Sequence, residues 1–280
     1  MLVSHNKKFI YLKTKKTAST SIERYFRQYC APIDTDLNLV RPDLITEQGI
    51  VSCYSIKQQV EANPEKYPEY LRKDSGTFDS YYIGPRLSET GELNLNDFSF
   101  FEHAPAFYIK PIIDKLYPDI WNNYLKIGSI RNPYDYLISS YYYYTKLRNM
   151  NTKVNGFYSD HILGDIVGNQ ELIRNLFKHW LEDYYPLVFK QSDIITLDNK
   201  VCLDFVIRYE NLLEDMQTLC DKLDVEWDPL KFENALSHIR PEWATVEFMY
   251  NEEAKEIVEN LFEFELKEFN YSFPTLEITQ

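Results

Sequence analysis

Three lysines and five hydroxyl side chains are packed into the nine residues from Lys13 to Ser21. In order they are Lys13, Thr14, Lys15, Lys16, Thr17, Ala18, Ser19, Thr20 and Ser21. An apolar stretch at residues 8–12 precedes them and a helical pattern begins at Thr20, so we expect a strand, a loop and a helix. A helix N-terminus offers unpaired N–H groups and partial positive charge, which favour phosphate or sulfate. The segment therefore predicts an anion site, with a solvated lysine-rich turn as the alternative.

A second candidate anion site follows the apolar stretch at residues 125–130. Arg131, Asn132 and Pro133 come directly after it, and Ser139 lies seven residues beyond Asn132. Asn132 is a favourable N-cap and Pro133 a favourable first helical residue, so we expect a helix to begin here. The arginine fork and the serine hydroxyl can then bind one anion together. The alternative is an arginine in a surface ion pair and a serine on the helix surface.

Charge is distributed unevenly along this acidic chain. The 280 residues carry a formal net charge of −13, yet residues 1–29 carry +6 and residues 126–153 carry +4, which leaves −23 elsewhere. An acidic surface argues against a nucleic-acid-binding protein, which needs a basic face. Positive charge is concentrated on the two segments that carry the candidate anion sites.

Glycine spacing excludes two common nucleotide loops. The chain has only eight glycines, and no two are separated by a single residue. This excludes the Gly-x-Gly-x-x-Gly dinucleotide fingerprint and the Gly-x4-Gly-Lys-Ser/Thr loop of nucleotide triphosphatases. A small-molecule kinase with a P-loop-like fold is for that reason a weaker alternative.

The remaining composition indicates the compartment and argues against a metal. No run approaches 18 apolar residues, so we expect no membrane span, and the first residues lack the pattern of a signal peptide. The four cysteines include no Cys-x-x-Cys pair. Zinc ligation and a secreted disulfide framework are therefore not expected, and the sequence predicts a cytoplasmic protein without a metal.

Strand patterns alternate with helical patterns, which predicts an α/β fold with a mainly parallel central sheet. Residues 31–97 contain five prolines and are expected to be irregular. In such sheets ligands bind at the carboxyl ends of the strands, where both candidate sites lie. The expected strands are 8–12, 98–101, 125–130 and 204–209. One helix is expected to begin at residue 20, and six more are expected over residues 106–117, 134–148, 170–184, 211–223, 230–239 and 252–269.

Four motifs in this order resemble the sulfotransferases that use 3′-phosphoadenosine 5′-phosphosulfate (PAPS), especially the bacterial and carbohydrate branch. They are Lys16-Thr17-Ala18-Ser19-Thr20-Ser21, Arg131-Asn132-Pro133 with Ser139, the 204–212 segment with Tyr209-Glu210-Asn211-Leu212, and the tail from Tyr250 to Tyr271. The family's phosphosulfate loop is commonly Pro-Lys-Thr-Gly-Gly-Thr-Ser. Here Lys15 replaces the proline, Ala18-Ser19 replace the two glycines, and Lys13 stands where the family often has histidine. Cβ atoms at 18 and 19 restrict the backbone of this loop.

The resemblance implies a P-loop-like three-layer α/β fold with a central sheet flanked by helices. It also implies one domain over residues 1–280, with the loop-rich insertion at about 31–97 shaping the acceptor site. It implies that Lys16 binds the phosphosulfate of the donor. Lys13, Lys15 and the backbone and hydroxyl groups of residues 17–21 would bind it as well. Arg131 and Ser139 would bind the 3′-phosphate, and Tyr209 would contact the adenine.

A base is also implied, because the acceptor hydroxyl loses its proton as it attacks sulfur. The family commonly places a histidine, sometimes a glutamate, at the position of His103, so His103 is the expected base and Glu102 the reserve. A capping or core histidine is the alternative.

The implied reaction is in-line transfer of a sulfuryl group from PAPS to a hydroxyl of a carbohydrate or other small molecule, leaving 3′-phosphoadenosine 5′-phosphate (PAP). A protein that binds PAP or PAPS without turnover is the alternative from another class. Acceptor identity and oligomeric state stay open.

Overall fold

The computed structural model describes residues 1–31, 44–52, 103–147, 169–184, 190–232 and 239–274. The chain divides into two compact units. The first comprises Met1–Ile130 and Gln191–Glu233, and the second comprises Arg131–Lys190 and Asn234–Gln280. Glu102 and the expected strand at 98–101 lie outside the described residues.

A six-stranded mixed sheet forms the centre of the first unit, and a two-stranded ribbon accompanies it. In space the sheet order is β3-β4-β1-β2-β5-β8, with β2, β5 and β8 parallel and the remaining pairs antiparallel. Strands β6 and β7 form the antiparallel ribbon. The strands are β1 (Leu2–Ser4), β2 (Phe9–Leu12), β3 (Leu44–Thr46), β4 (Gly49–Val51), β5 (Leu125–Ile130), β6 (Thr196–Leu197), β7 (Lys200–Val201) and β8 (Phe205–Arg208).

The parallel strands are aligned so that their carboxyl ends meet at one edge. Leu12 lies opposite Gly128, and Ile130 lies opposite Arg208. Every residue of β2 is buried, as expected for a strand covered on both faces. Gly128 lies in close packing, because a Cβ there would lie 2.7 Å from a methyl carbon of Leu203 and would force that side chain to shift.

Helices pack on this sheet through an apolar core, which confirms the predicted α/β class. In the described part of the first unit the helices are α1 (Ser19–Phe26), α2 (Ala106–Leu116), α3 (Ile120–Asn123), α6 (Ser192–Ile195) and α7 (Leu212–Leu223). Ile22, Tyr25 and Phe26 of α1 belong to the same cluster as Phe9, and Met216 and Leu219 of α7 belong to that cluster too. Short 3-10 turns span Arg27–Tyr29, Tyr209–Asn211 and Pro229–Lys231.

The second unit is helical and its core is rich in aromatic residues. Tyr141 lies in the core with its ring 5.4 Å from the rings of both Phe177 and Trp180. Among its described residues the helices are α4 (Pro133–Tyr142), α5 (Gln170–Tyr184), α8 (Val246–Met249), α9 (Glu252–Leu261) and α10 (Glu263–Glu268), with a π turn at Tyr143–Leu147.

Some element predictions were wrong. Two strands, β3 and β4, form inside the segment expected to be irregular, and β1 forms in the polar N-terminal stretch, because these short strands gain stability by pairing with one another. The helix expected over 134–148 changes to a π turn after Tyr142, and the one expected over 252–269 is interrupted at Phe262. Of the helix expected over 230–239, the described part forms only the end of a 3-10 turn.

Candidate active site

The loop between β2 and α1 has an unusual backbone. Lys16 has φ 55° and Ala18 has φ 58°, both left-handed, whereas the φ of Thr17 between them is negative. Ala18 is the N-cap of α1 and makes no side-chain capping bond. Successive N–H groups in alternating conformations form a concave nest that binds anions, as in nucleotide-binding loops. The loop therefore has the backbone form of an anion site at a helix N-terminus.

Ala18 stands where the resembling family has glycine, and it keeps the conformation that glycine favours. A left-handed L-residue is disfavoured by roughly 1–2 kcal/mol because its Cβ approaches the following carbonyl oxygen. Strain of this kind persists where the surrounding structure determines the conformation, and it clusters at functional sites.

A buried cluster of hydroxyl groups attaches the loop to the end of β5. The Ser129 hydroxyl lies 2.7 Å from the Thr17 hydroxyl and 3.0 Å from that of Thr14. Thr14 also donates to the Ser129 carbonyl at 2.5 Å, and the Tyr11 hydroxyl lies 3.3 Å from Ser129 Oγ. Burial raises the pKa of Tyr11 above its ordinary value, so it stays protonated. Sequence reasoning placed Thr14 among the hydroxyls of the anion segment and assigned the Thr17 hydroxyl to the donor, but it missed Tyr11 and the role of Ser129 in holding the loop.

The three loop lysines occupy different environments. The Lys13 ammonium group pairs with the Glu23 carboxylate of α1, and these side chains are only 1% and 3% exposed. Lys15 is buried and Lys16 is half-buried. Sequence reasoning missed this pairing of Lys13 with Glu23.

His103 lies just before α2 and adopts a left-handed backbone with φ 61°. Its Nδ1 is 2.9 Å from the carbonyl oxygen of Lys13. Since a carbonyl only accepts, Nδ1 carries the proton of this hydrogen bond and the lone pair of the neutral ring is on Nε2. Desolvation lowers the pKa of His103 well below its ordinary value, and the charges of Lys13 and Lys15 lower it further. The imidazole is therefore neutral at pH 7, the form that accepts a proton.

Arg131, in the second unit, is held by a carboxylate of the helix that it precedes. Its Nε and Nη2 each lie 2.5 Å from Asp135 Oδ2, and Arg240 donates to Asp135 Oδ1. Burial alone would raise the pKa of Asp135, but Arg131 and Arg240 outweigh burial and hold it below its usual value. The ion pair raised as an alternative for Arg131 is thus present, and Arg131 is only 7% exposed.

The N-terminus of α4 forms as the sequence predicts. The Asn132 side chain accepts from the Tyr134 backbone N–H at 3.1 Å, and Pro133 is the first helical residue. Ser139 is half-buried and lies one turn after Asp135.

Tyr209 lies at the same sheet edge as the lysine loop. It begins the 3-10 turn after β8 and is half-buried, and its neighbour Arg208 pairs in register with Ile130. Within the first unit, the carboxyl ends of β2 and β8 therefore carry the lysine loop and Tyr209.

Within the part of the chain that the structure describes, no group of three or more His, Cys, Asp or Glu residues is arranged to hold a metal ion. No helix within the described ranges combines the length and apolar character needed to cross a membrane. Cys30, Cys202 and Cys220 are free thiols, and Cys53 lies outside the described residues.

Comparison with known proteins identifies one family. A family model described as "Sulfotransferase family" matches residues 1–272, a range that takes in nearly all of both units. No curated protein matches the chain significantly, and no solved structure does so either.

Proposed function

The chain belongs to the sulfotransferase family and is a sulfotransferase, and we propose that it transfers a sulfuryl group from PAPS to a hydroxyl group of a carbohydrate or other small molecule. The observation that carries this proposal is the loop between β2 and α1. Left-handed residues at positions 16 and 18 give the loop the backbone form of an anion-binding nest, and the neutral His103 donates a hydrogen bond to the carbonyl of Lys13, where the loop starts.

The loop fits the phosphosulfate end of PAPS, which supplies the sulfuryl group on a phosphate leaving group. Lys16 and the backbone N–H groups of residues 17–20 bind and stabilise the negative charge on the bridging and leaving oxygens. The Ser21 N–H, which was expected to join them, donates instead to the Ala18 carbonyl at 2.9 Å. Lys15 adds positive charge from within the loop. Thr17 acts through the hydroxyl cluster that fixes the loop on Ser129, and the hydroxyls of Thr20 and Ser21 complete the cradle.

His103 is the proposed general base. As the acceptor oxygen forms its bond to sulfur, Nε2 takes the hydroxyl proton, and the bond from sulfur to the phosphate oxygen breaks. Positioned general-base catalysis contributes about 10²–10⁴-fold to the rate. Glu102 remains the reserve base.

Arg131 and Ser139 are the proposed ligands of the 3′-phosphate, which ATP lacks. Asp135 orients the Arg131 guanidinium, so little side-chain freedom is lost when an anion binds. Tyr209 is proposed to contact the adenine.

Sulfate transfer from radiolabelled PAPS to a panel of glycans, phenols and lipids tests the reaction. The variants Lys16→Ala and His103→Ala are each expected to lower turnover at least 100-fold. Matched controls are Lys200→Ala and His179→Ala, which alter exposed side chains elsewhere and leave turnover unchanged. If both site variants keep more than a tenth of wild-type turnover, the assignment is wrong.

Thermal shift tests the donor separately from the chemistry. PAP is expected to stabilise the protein and Mg·ATP to have no effect, because only PAP carries a 3′-phosphate. Stabilisation by Mg·ATP alone would favour the kinase alternative. Stabilisation by PAP without transfer to any acceptor would favour the non-catalytic binding protein.

A further inference from the structure

A buried ion pair connects the start of the anion loop to the helix that follows it. Lys13 is the first residue after β2, and Glu23 lies in the middle of α1. Their side chains are 1% and 3% exposed and pair with each other. Lysine and glutamate are almost never buried so completely unless paired. The pair therefore fixes residues 14–22 between two anchored ends.

The backbone of Lys13 also holds His103. The Lys13 carbonyl oxygen accepts from Nδ1 of His103 at 2.9 Å, which sets the tautomer with its lone pair on Nε2. One residue thus links the Glu23 carboxylate, through its side chain, to the proposed base, through its backbone. A displaced Lys13 would move the carbonyl that orients the imidazole.

Positive charges of described residues act on His103. The ammonium groups of Lys13 and Lys15 and the amino group of Met1 add to desolvation in favouring the neutral ring. A buried lysine without a carboxylate partner tends to lose its proton. Glu23 therefore sustains the positive charge at Lys13 that helps to keep His103 neutral.

We propose that Glu23 and Lys13 are positioning residues for His103, and that Lys13 acts through this pair instead of binding the sulfuryl donor. The proposal rests on the proposed function, in which His103 is the base. It assigns donor binding in the loop to Lys15, Lys16 and the backbone, and gives Lys13 a different role from theirs.

The double variant Lys13→Met/Glu23→Met tests this proposal. Two methionines replace the pair with apolar side chains of similar length, so no uncompensated charge is left buried. We expect the Kd for PAP, measured by calorimetry, to stay within threefold of wild type while kcat falls at least tenfold. A loss of PAP affinity above tenfold would make Lys13 a donor ligand and overturn the proposal.

Nitrogen-15 NMR of His103 in the full-length protein gives a readout that does not depend on turnover. Wild type is expected to show Nδ1 protonated at pH 7. The double variant is expected to populate the other tautomer and to titrate at higher pH. The variant removes both charges of the pair, and it is the Lys13 ammonium group that lowers the pKa of His103. An unchanged tautomer and titration, with kcat within threefold of wild type, would show that the pair only stabilises the fold.

Lys13→Arg is the conservative control. It keeps a positive charge that can pair with Glu23, so the His103 titration is expected to lie closer to wild type than in the double variant. Should His103→Ala retain turnover, the base assignment fails, whereas the NMR comparison still reports whether the pair orients the imidazole. The two failures are thus distinguishable.

Discussion

Replacing Ala18 with glycine should stabilise this protein. Ala18 has φ 58° and ψ 16°, a left-handed conformation in which its Cβ is disfavoured. The residue is half-buried and makes no side-chain capping bond, so removal of the methyl group sacrifices no hydrogen bond. Most alanine-to-glycine changes destabilise proteins, and the opposite sign is therefore diagnostic of the backbone at this position.

The size of the effect follows from two opposing contributions. Relief of the left-handed strain contributes roughly 1–2 kcal/mol. Glycine loses about 0.5–1 kcal/mol more conformational entropy than alanine on folding. The expected net stabilisation is about 0–1.5 kcal/mol with a centre at about 0.8 kcal/mol, which raises the melting temperature by up to about 4 °C for a chain of this size.

Urea unfolding of wild type and Ala18→Gly measures the difference in unfolding free energy. The variant is expected to have a higher midpoint and the same slope m. Ala106→Gly in the same unit is the matched control. Ala106 is fully buried at the start of α2, and loss of its methyl group is expected to lower the unfolding free energy by about 1 kcal/mol. Destabilisation of 0.5 kcal/mol or more by Ala18→Gly would refute the left-handed assignment at residue 18.

Three further predictions concern the hydroxyl cluster, the arginine pair and pH. Ser129→Ala leaves buried hydroxyls with fewer partners, and should lower the unfolding free energy in urea by about 1–3 kcal/mol; no measurable loss would contradict the cluster. Asp135→Asn removes the carboxylate between Arg131 and Arg240. Because Asp135 is partly exposed, the unfolding free energy is expected to fall by about 1–3 kcal/mol, and calorimetry is expected to show weaker PAP binding. The lowered pKa of His103 means that kcat/KM should stay on its plateau as pH falls through 6.5, and an acid limb at or above 6.5 would contradict the burial of this base. Since the unfolded chain takes up a proton at His103 below about pH 6.5 and the folded protein does not, the unfolding free energy should also decrease below that pH.

The parallel part of the fold was predictable because each element carries its own signal. Strands β2 and β5 are apolar runs, and α4 has Asn132 and Pro133 at its start. The three-residue strands carry no comparable signal, since their stability comes from pairing with partners distant in sequence. The interruption at Phe262 was missed for a different reason, because apolar periodicity continues across it.

The loop itself was predictable, but the residues that hold it were not. Lysines and hydroxyls before a helix indicate an anion site by composition alone. By contrast, Glu23 and Ser129 bond to the loop from 10 and more than 100 positions away in sequence. Left-handed backbone at Lys16 and Ala18 was also unexpected, because neither residue type favours it.

The left-handed backbone of the loop and the hydroxyl cluster around Ser129 depend on each other energetically. A loop with two left-handed residues stores roughly 2–4 kcal/mol of strain. The hydrogen bonds of Thr14 and Thr17 to Ser129 each offset about 0.5–1.5 kcal/mol of it. If the cluster holds a strained loop, Ser129→Ala should cost less in an Ala18→Gly background, where the loop has less strain to hold. A double-mutant cycle in urea is expected to give a coupling of about 0.5–1 kcal/mol, and additivity within about 0.3 kcal/mol would show that the cluster and the strain are independent.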